Sequence, residues 1–162
     1  MYLDKKYQNV RILILSLIAF ILQLYFVPLI EISIWRPDII LLLIIYIGFY
    51  YGAIPGTLTG FIIGIFQDAM SPIPVGMTSL ANCVIGFSAG QVKQFKLALN
   101  AKVVAALVLI LGHGLIFYLV YRYKSEATYV HLIFSRVFPN TIYTFILGLI
   151  FSIFFSSSME EK

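Results

Sequence analysis

The chain has 162 residues, 61% of them hydrophobic and 11% charged, with a formal net charge of +4. A soluble domain carries roughly 25% charged residues, so a chain this poor in charge cannot dress a globular surface in polar side chains. That excludes a soluble enzyme domain, a disordered chain and a nucleic-acid-binding module.

The charges fall in clumps and leave charge-free runs at 12–30, 39–67, 69–92, 103–121 and 137–159. Each reaches the ~18 residues that mark a transmembrane helix candidate. Continuous apolar runs, in place of period-two alternation, predict helices and not a barrel. The length allows one polytopic domain, 1–162, almost entirely inside the bilayer. A first span is predicted over Val10–Leu29, with Pro28 near its end. Its apolar part exceeds the core of a signal peptide and no small-residue cleavage site follows, so it reads as a retained span. The connection Glu31–Asp38 then places Trp35 and Arg36 at the interface. Run 39–67 divides into two short helices, because Gly52, Pro55 and Gly56 supply a turn signal in its middle. Each half makes only ~20 Å of helix against a hydrocarbon core of ~30 Å, which implies local thinning or burial against longer neighbours.

A breaker-rich connection, Ser71–Gly76, leads to a fourth span over Met77–Val92. Lys93, Lys96 and Lys102 mark the next loop, before a fifth span at Val103–Tyr121. The charged connection Arg122–Arg136 includes Tyr129 and His131, and a sixth span runs to Phe155 from a start near Pro139. With six spans, one side receives seven basic residues (Lys5, Lys6, Arg11, Lys93, Lys96, Lys102, Lys162) and the other four (Arg36, Arg122, Lys124, Arg136). A single broken crossing over 39–67 would make the split six to five, so the positive-inside rule favours six spans with both termini cytoplasmic.

Small residues recur every four positions at Gly48, Gly52, Gly56, Gly60 and Gly64, and Asp68 continues the register. A parallel stripe follows at Thr78, Asn82, Gly86 and Gly90. Such stripes let helix backbones approach closely, within the protomer or against a partner. Arg36, Pro37 and Asp38 read as a helix start, with proline at or near the first helical position and the carboxylate in the first turn, where the dipole favours an anion. Arg36 has Glu31 or Asp38 as a partner. Asp68 ends a short helix on the glycine face. Within the membrane it would need a role or a basic partner; in the headgroup region it would need neither.

His113, between two glycines, is the only ionisable residue inside the fifth span, and it lacks companions for a proton relay or a metal. Cys83 is a packing residue in an apolar run and has no second cysteine to pair with. Ser71 near Asp68 is not a triad without a placed histidine. There is no paired-histidine motif, nucleophile elbow or phosphate loop. No catalytic set, cofactor or metal is predicted, and the Tyr and Phe excess suits lipid and interface contact.

The stretch Arg36 to Gly90 resembles the bacterial rod shape-determining protein MreD family. The matching features are Arg36-Pro37-Asp38 before a Leu/Ile run, then Gly52, Gly56, Gly60-Phe61, Gly64, Asp68, Gly76, Gly86 and Gly90. Departures are Gln67 before the aspartate, where the family often has an apolar residue, and Pro72 and Pro74 in the next loop. The resemblance implies a non-enzymatic subunit of the cell-elongation complex in the bacterial cytoplasmic membrane. Such a subunit binds a bitopic MreC-like partner and works with MreB-like actin, a RodA-type glycosyltransferase and a class B penicillin-binding protein in lateral peptidoglycan synthesis. It also implies an all-α fold of six spans, similar to the S component of energy-coupling-factor transporters. On this reading Gly52, Gly56, Gly60, Gly64, Asn82, Gly86 and Gly90 serve helix packing or partner binding. Arg36, Pro37, Asp38 and Asp68 shape the external end of a central cleft. Two other classes remain open at this level: a vitamin-binding S component, for which Thr78, Asn82, His113 and Asn140 are the inward polar candidates, and a lipid-handling protein. Oligomeric state, a homo-oligomer included, is not legible.

Overall fold

The computed structural model describes residues 2–32, 35–72, 74–95, 98–122 and 128–157, all α-helical apart from short connections. Helix α1 (Tyr2–Tyr25) is followed by a single turn, α2 (Val27–Ile30), which Pro28 opens. The predicted break in run 39–67 falls at Gly52, between α3 (Ile39–Tyr51) and α4 (Ala53–Ala69). Gly52 has φ +105°, a left-handed conformation that a side chain would strain, so the helix stops there for a backbone reason. Helix α5 (Met77–Val92) ends in a short 3₁₀ turn, and α6 (Leu99–Tyr121) follows. Helix α7 (Tyr129–Leu132), a π-helical segment (Ile133–Val137) and α8 (Phe138–Ser157) then run on without a break.

The expectation of six membrane-crossing helices is not met. Among the described residues, three stretches are long and apolar enough to cross: Tyr7–Tyr25, Leu99–Tyr121 and Tyr129–Ile150. Helices α3, α4 and α5 have 13, 17 and 16 residues, or about 20–25 Å at ~1.5 Å per residue, less than the ~30 Å of hydrocarbon. The breaks at Gly52 and before Met77 fall where the sequence puts them, but the helices they leave are shorter than a bilayer crossing needs. The S-component-like architecture that rested on six spans is withdrawn with them. Three long apolar helices are consistent with a multi-pass membrane protein.

The short helices form the centre. Helix α3 is apolar on every face and buries Ile40, Leu41, Ile44, Ile45 and Ile47, as a helix enclosed by neighbours should. Leu41 and Ile45 join Ile85 and Ala89 of α5 and Leu109 and Ile110 of α6 in one core. Ala19 of α1 packs with Val27 and Ile39 in a second cluster. The helices alternate in direction, so one end of the bundle gathers the end of α1, the starts of α3 and α8 and the polar half of α6. The opposite end carries Arg11, Lys93 and Lys102. Of the basic residues counted for orientation, Lys96, Lys124 and Lys162 lie outside the described residues, as does the tail 158–162.

Candidate functional site

The polar end is organised by the segment Trp35–Ile39. Asp38 is extended (φ −112°, ψ 95°) and is the N-cap of α3: its Oδ1 accepts from Leu41 N–H at 2.8 Å. Pro37 therefore stands just outside the helix, not at its first position, and the carboxylate meets an orphan donor of the first turn from the cap. The segment's other backbone donors are taken by two flanking helices. Arg36 N–H donates to Asn140 Oδ1 (3.1 Å) and Asp38 N–H to Thr144 Oγ1 (3.1 Å), both on α8. Ile39 N–H donates to Gln23 Oε1 of α1 (2.9 Å), whose amide returns a bond to Pro37 O at 3.4 Å. Arg36 pairs with Glu31 (2.6 Å), the first of its two candidate acids, and the arginine is largely solvent-facing.

Two further contacts fasten the same place. Pro139 has no N–H to give the carbonyl four residues before it, that of Ser135. That freed carbonyl accepts from the Trp35 indole at 3.3 Å. The Tyr143 hydroxyl donates to the Ile30 carbonyl. Gln23, Thr144, Tyr143 and the Trp35–Ser135 link were not singled out in the sequence. Gln23 had a signal, as an amide in an apolar run. Asn140, Thr144 and Gly148 recur every four residues on α8, the same spacing as the stripes that were read.

Between α3, α6 and α8 this end holds a partly open cavity of about 250 Å³. Arg36, Pro37, Asp38, Gln67, Thr78, Asn140, Thr141 and Thr144 line it, together with His113 and Tyr118 of α6. His113 Nε2 is buried without a partner. Among the described residues no group of His, Cys, Asp and Glu is arranged to hold a metal ion.

Asp68 is not on the cavity wall. It is almost fully buried and turns toward the start of α5, whose N-cap, Gly76, has no side chain to offer. The Asp68 carboxylate accepts from the backbone N–H groups of Gly76 (2.8 Å), Thr78 (3.0 Å) and Ser79 (3.2 Å). An acid from the end of one helix thus caps the next, where the helix dipole also favours negative charge.

The glycine stripes of α4 and α5 face each other. A Cβ on Gly56 would lie 2.6 Å from the Gly86 carbonyl oxygen, and one on Gly60 2.6 Å from that of Asn82. Gly64 abuts Ser79, and Gly90 abuts Ala53. Gly48 of α3 meets Ala89 at 2.5 Å by the same measure. Gly52 is the exception, serving the turn. Asn82 is buried on this seam, its amide nitrogen donating to Gln67 Oε1 at 2.9 Å while its Oδ1 has no partner. Gln67, a departure from the family pattern, therefore has a packing partner. Cys83 Sγ lies 3.7 Å from Thr57 O across the same seam.

A small all-helical membrane protein emerges, whose buried polar side chains hold helix ends and neighbouring backbones in place. A family model for the rod shape-determining protein MreD matches residues 4–161, and the chain belongs to that family. It is accordingly a non-catalytic membrane subunit of the bacterial cell-shape machinery, associated with other components of the elongation complex. No curated protein and no solved structure matches the chain, so the S-component likeness has no structural counterpart either.

Proposed function

We propose that this chain is the polytopic membrane subunit that receives a bitopic MreC-like partner in the cell-elongation complex. Through that partner it connects MreB-like actin to a RodA-type glycosyltransferase and a class B penicillin-binding protein, in support of lateral peptidoglycan synthesis. The family match over residues 4–161 carries this reading. The use of the buried polar groups agrees with it: Asp38, Asp68, Gln23 and Thr144 each accept a backbone N–H from a helix start.

The residue roles follow the same proposal. Gly56, Gly60, Gly64, Asn82, Gly86 and Gly90 act in packing α4 on α5, so the partner's helix meets another face. Arg36, Pro37 and Asp38 shape the outer mouth of the cavity, and Asp68 fixes the α4–α5 turn beside it. The single domain sits in the cytoplasmic membrane with the Arg11–Lys93–Lys102 end inward, in keeping with the positive-inside rule. The first helix starts and the last one ends at that side, so both termini are cytoplasmic.

Affinity purification of the tagged chain from its native membrane tests the partner assignment. Co-purification of the MreC-like protein, with rounding of rod-shaped cells on depletion, is the expected result. Recovery of transporter ATPases instead, with cell shape unchanged, would overturn it.

A further inference from the structure

A second concavity lies between α1, α3, α6 and α8 and shares Ile110 with the polar cavity. It is a groove of about 340 Å³ with α3 as its floor, α1 as one wall and α6 with α8 as the other. Its surface is almost wholly apolar, with Ile18, Leu42, Phe49, Val103, Ala106 and Phe145 among the contacts it offers. Along the floor it extends from Ile39 to Tyr50, which is about 17 Å of helix at ~1.5 Å per residue. One leaflet of a bilayer is about 15 Å deep, half of its ~30 Å hydrocarbon core. The groove is therefore as long as a single leaflet.

Its two ends differ. Leu22 of α1 lines it beside Ile39. At the Tyr50 end it is lined by Lys102, whose ammonium lies 5.4 Å from the centre of the Tyr50 ring. Arg11 of α1 is within electrostatic reach of Tyr46 at the same end. Among the described residues, neither Arg11 nor Lys102 has a carboxylate partner. Two cations and a tyrosine pair (Tyr46 and Tyr50, rings 4.6 Å apart) thus stand at one end of a leaflet-long apolar slot.

We propose that this groove binds one acyl chain of an anionic phospholipid from the basic-end leaflet, with its phosphate at Arg11 and Lys102. The length of the slot matches one leaflet, as a hydrocarbon chain lying along it requires. Charge complementarity selects the headgroup, since basic residues at a membrane surface attract anionic lipid by about 1 kcal/mol each, or roughly fivefold in affinity. The site does not depend on the partner assignment above.

Native mass spectrometry of the full chain, released from detergent after exchange with phosphatidylglycerol or phosphatidylcholine, tests the proposal. The expected result is retention of phosphatidylglycerol over phosphatidylcholine by at least fivefold. Arg11→Gln with Lys102→Gln should abolish that preference, and Lys102→Arg should keep it. Val103→Phe, which narrows the groove, should lower retention of both lipids while the unfolding midpoint stays near that of the parent. Equal retention of the two lipids by the parent chain, or an intact preference in the double Gln variant, would overturn the proposal. So would loss of the bound lipid on adding the bitopic partner, which would make the groove a helix seat.

Discussion

Along α4 and α5, backbone meets backbone; along the outer face of α1, apolar side chains stand uncovered. The inner hairpin is made of helices too short to cross a bilayer. It is joined by glycines under carbonyl oxygens, by a buried carboxylate on three N–H groups and by an Asn–Gln pair. Helix α1 is long and apolar, and it leaves Leu13, Ile14, Leu17 and Ile21 uncovered. Apart from local apolar packing, it is tied to the rest at the polar end through Gln23. The hairpin is specified by close approach and hydrogen bonding, which tolerate little change. The outer helix is specified by hydrophobicity and length, which many sequences satisfy.

The largest expected effect of breaking that contrast is at Gly60. Its missing side chain leaves room for the Asn82 carbonyl, and a Cβ there would sit 2.6 Å from a backbone oxygen that cannot rotate away. Gly60→Leu should destabilise the protein by at least about 3 kcal/mol, the upper range for overpacking, and be seen as lost monodispersity or a collapsed unfolding midpoint in detergent. Gly112→Ala on α6 is the matched control, because its Cβ would meet only Ile85 Cδ1 at 3.7 Å. That change should be neutral or stabilising by up to about 1 kcal/mol. Equal loss at both sites would erase the distinction between the seam and the long helices.

Asp68 comes next. Removing the carboxylate in Asp68→Ala orphans the first donors of α5 in a place water does not reach. Thermal unfolding should report about 2–3 kcal/mol of lost stability. Asp68→Asn keeps an oxygen but turns an amide N–H toward other N–H groups, so it should fall between alanine and the parent. If asparagine and alanine behave alike, the charge and its alignment with the helix dipole matter more than any acceptor.

How much of this was legible depended on how local the cause was. The stop at Gly52 and the four-residue stripes were readable, since each follows from neighbouring residues and helix periodicity. The start of α3 was readable as a helix start but was placed one residue off, because Asp38 caps from outside and only backbone geometry distinguishes that from a first-turn carboxylate. The role of Asp68 was not readable: its partners are close in sequence, yet only the packing of α4 on α5 aims the carboxylate at them. The span number failed for a different reason. The breaks at Gly52 and Ser71–Gly76 were readable, but the short helices they leave were still counted as crossings, on the argument that the bilayer thins around them. Likewise, no local rule predicts that the carbonyl freed by Pro139 would find the indole of Trp35, about a hundred positions away.

The smallest effects concern the clamp that ties the inner helices to the outer ones, and they ask whether the contrast is gradual or sharp. Thr144 on α8 is buried and accepts the Asp38 N–H at 3.1 Å, so Thr144→Val removes one acceptor at nearly constant volume. The orphaned donor belongs to the cap residue of α3, and the cost should be about 1–2 kcal/mol, with Thr144→Ser close to the parent because the hydroxyl remains. Leu17→Ala on the bare face of α1 removes more atoms but no protein contact of consequence, and should change stability by less than about 0.5 kcal/mol. Unfolding midpoints of the two variants measured side by side decide between the alternatives. If Leu17→Ala costs as much as Thr144→Val, the outer face of α1 is covered in the folded protein, and an undescribed neighbour packs where lipid has been assumed. If Thr144→Val is silent, α8 is held to α3 by apolar contact alone, and the polar clamp only orients the cavity mouth.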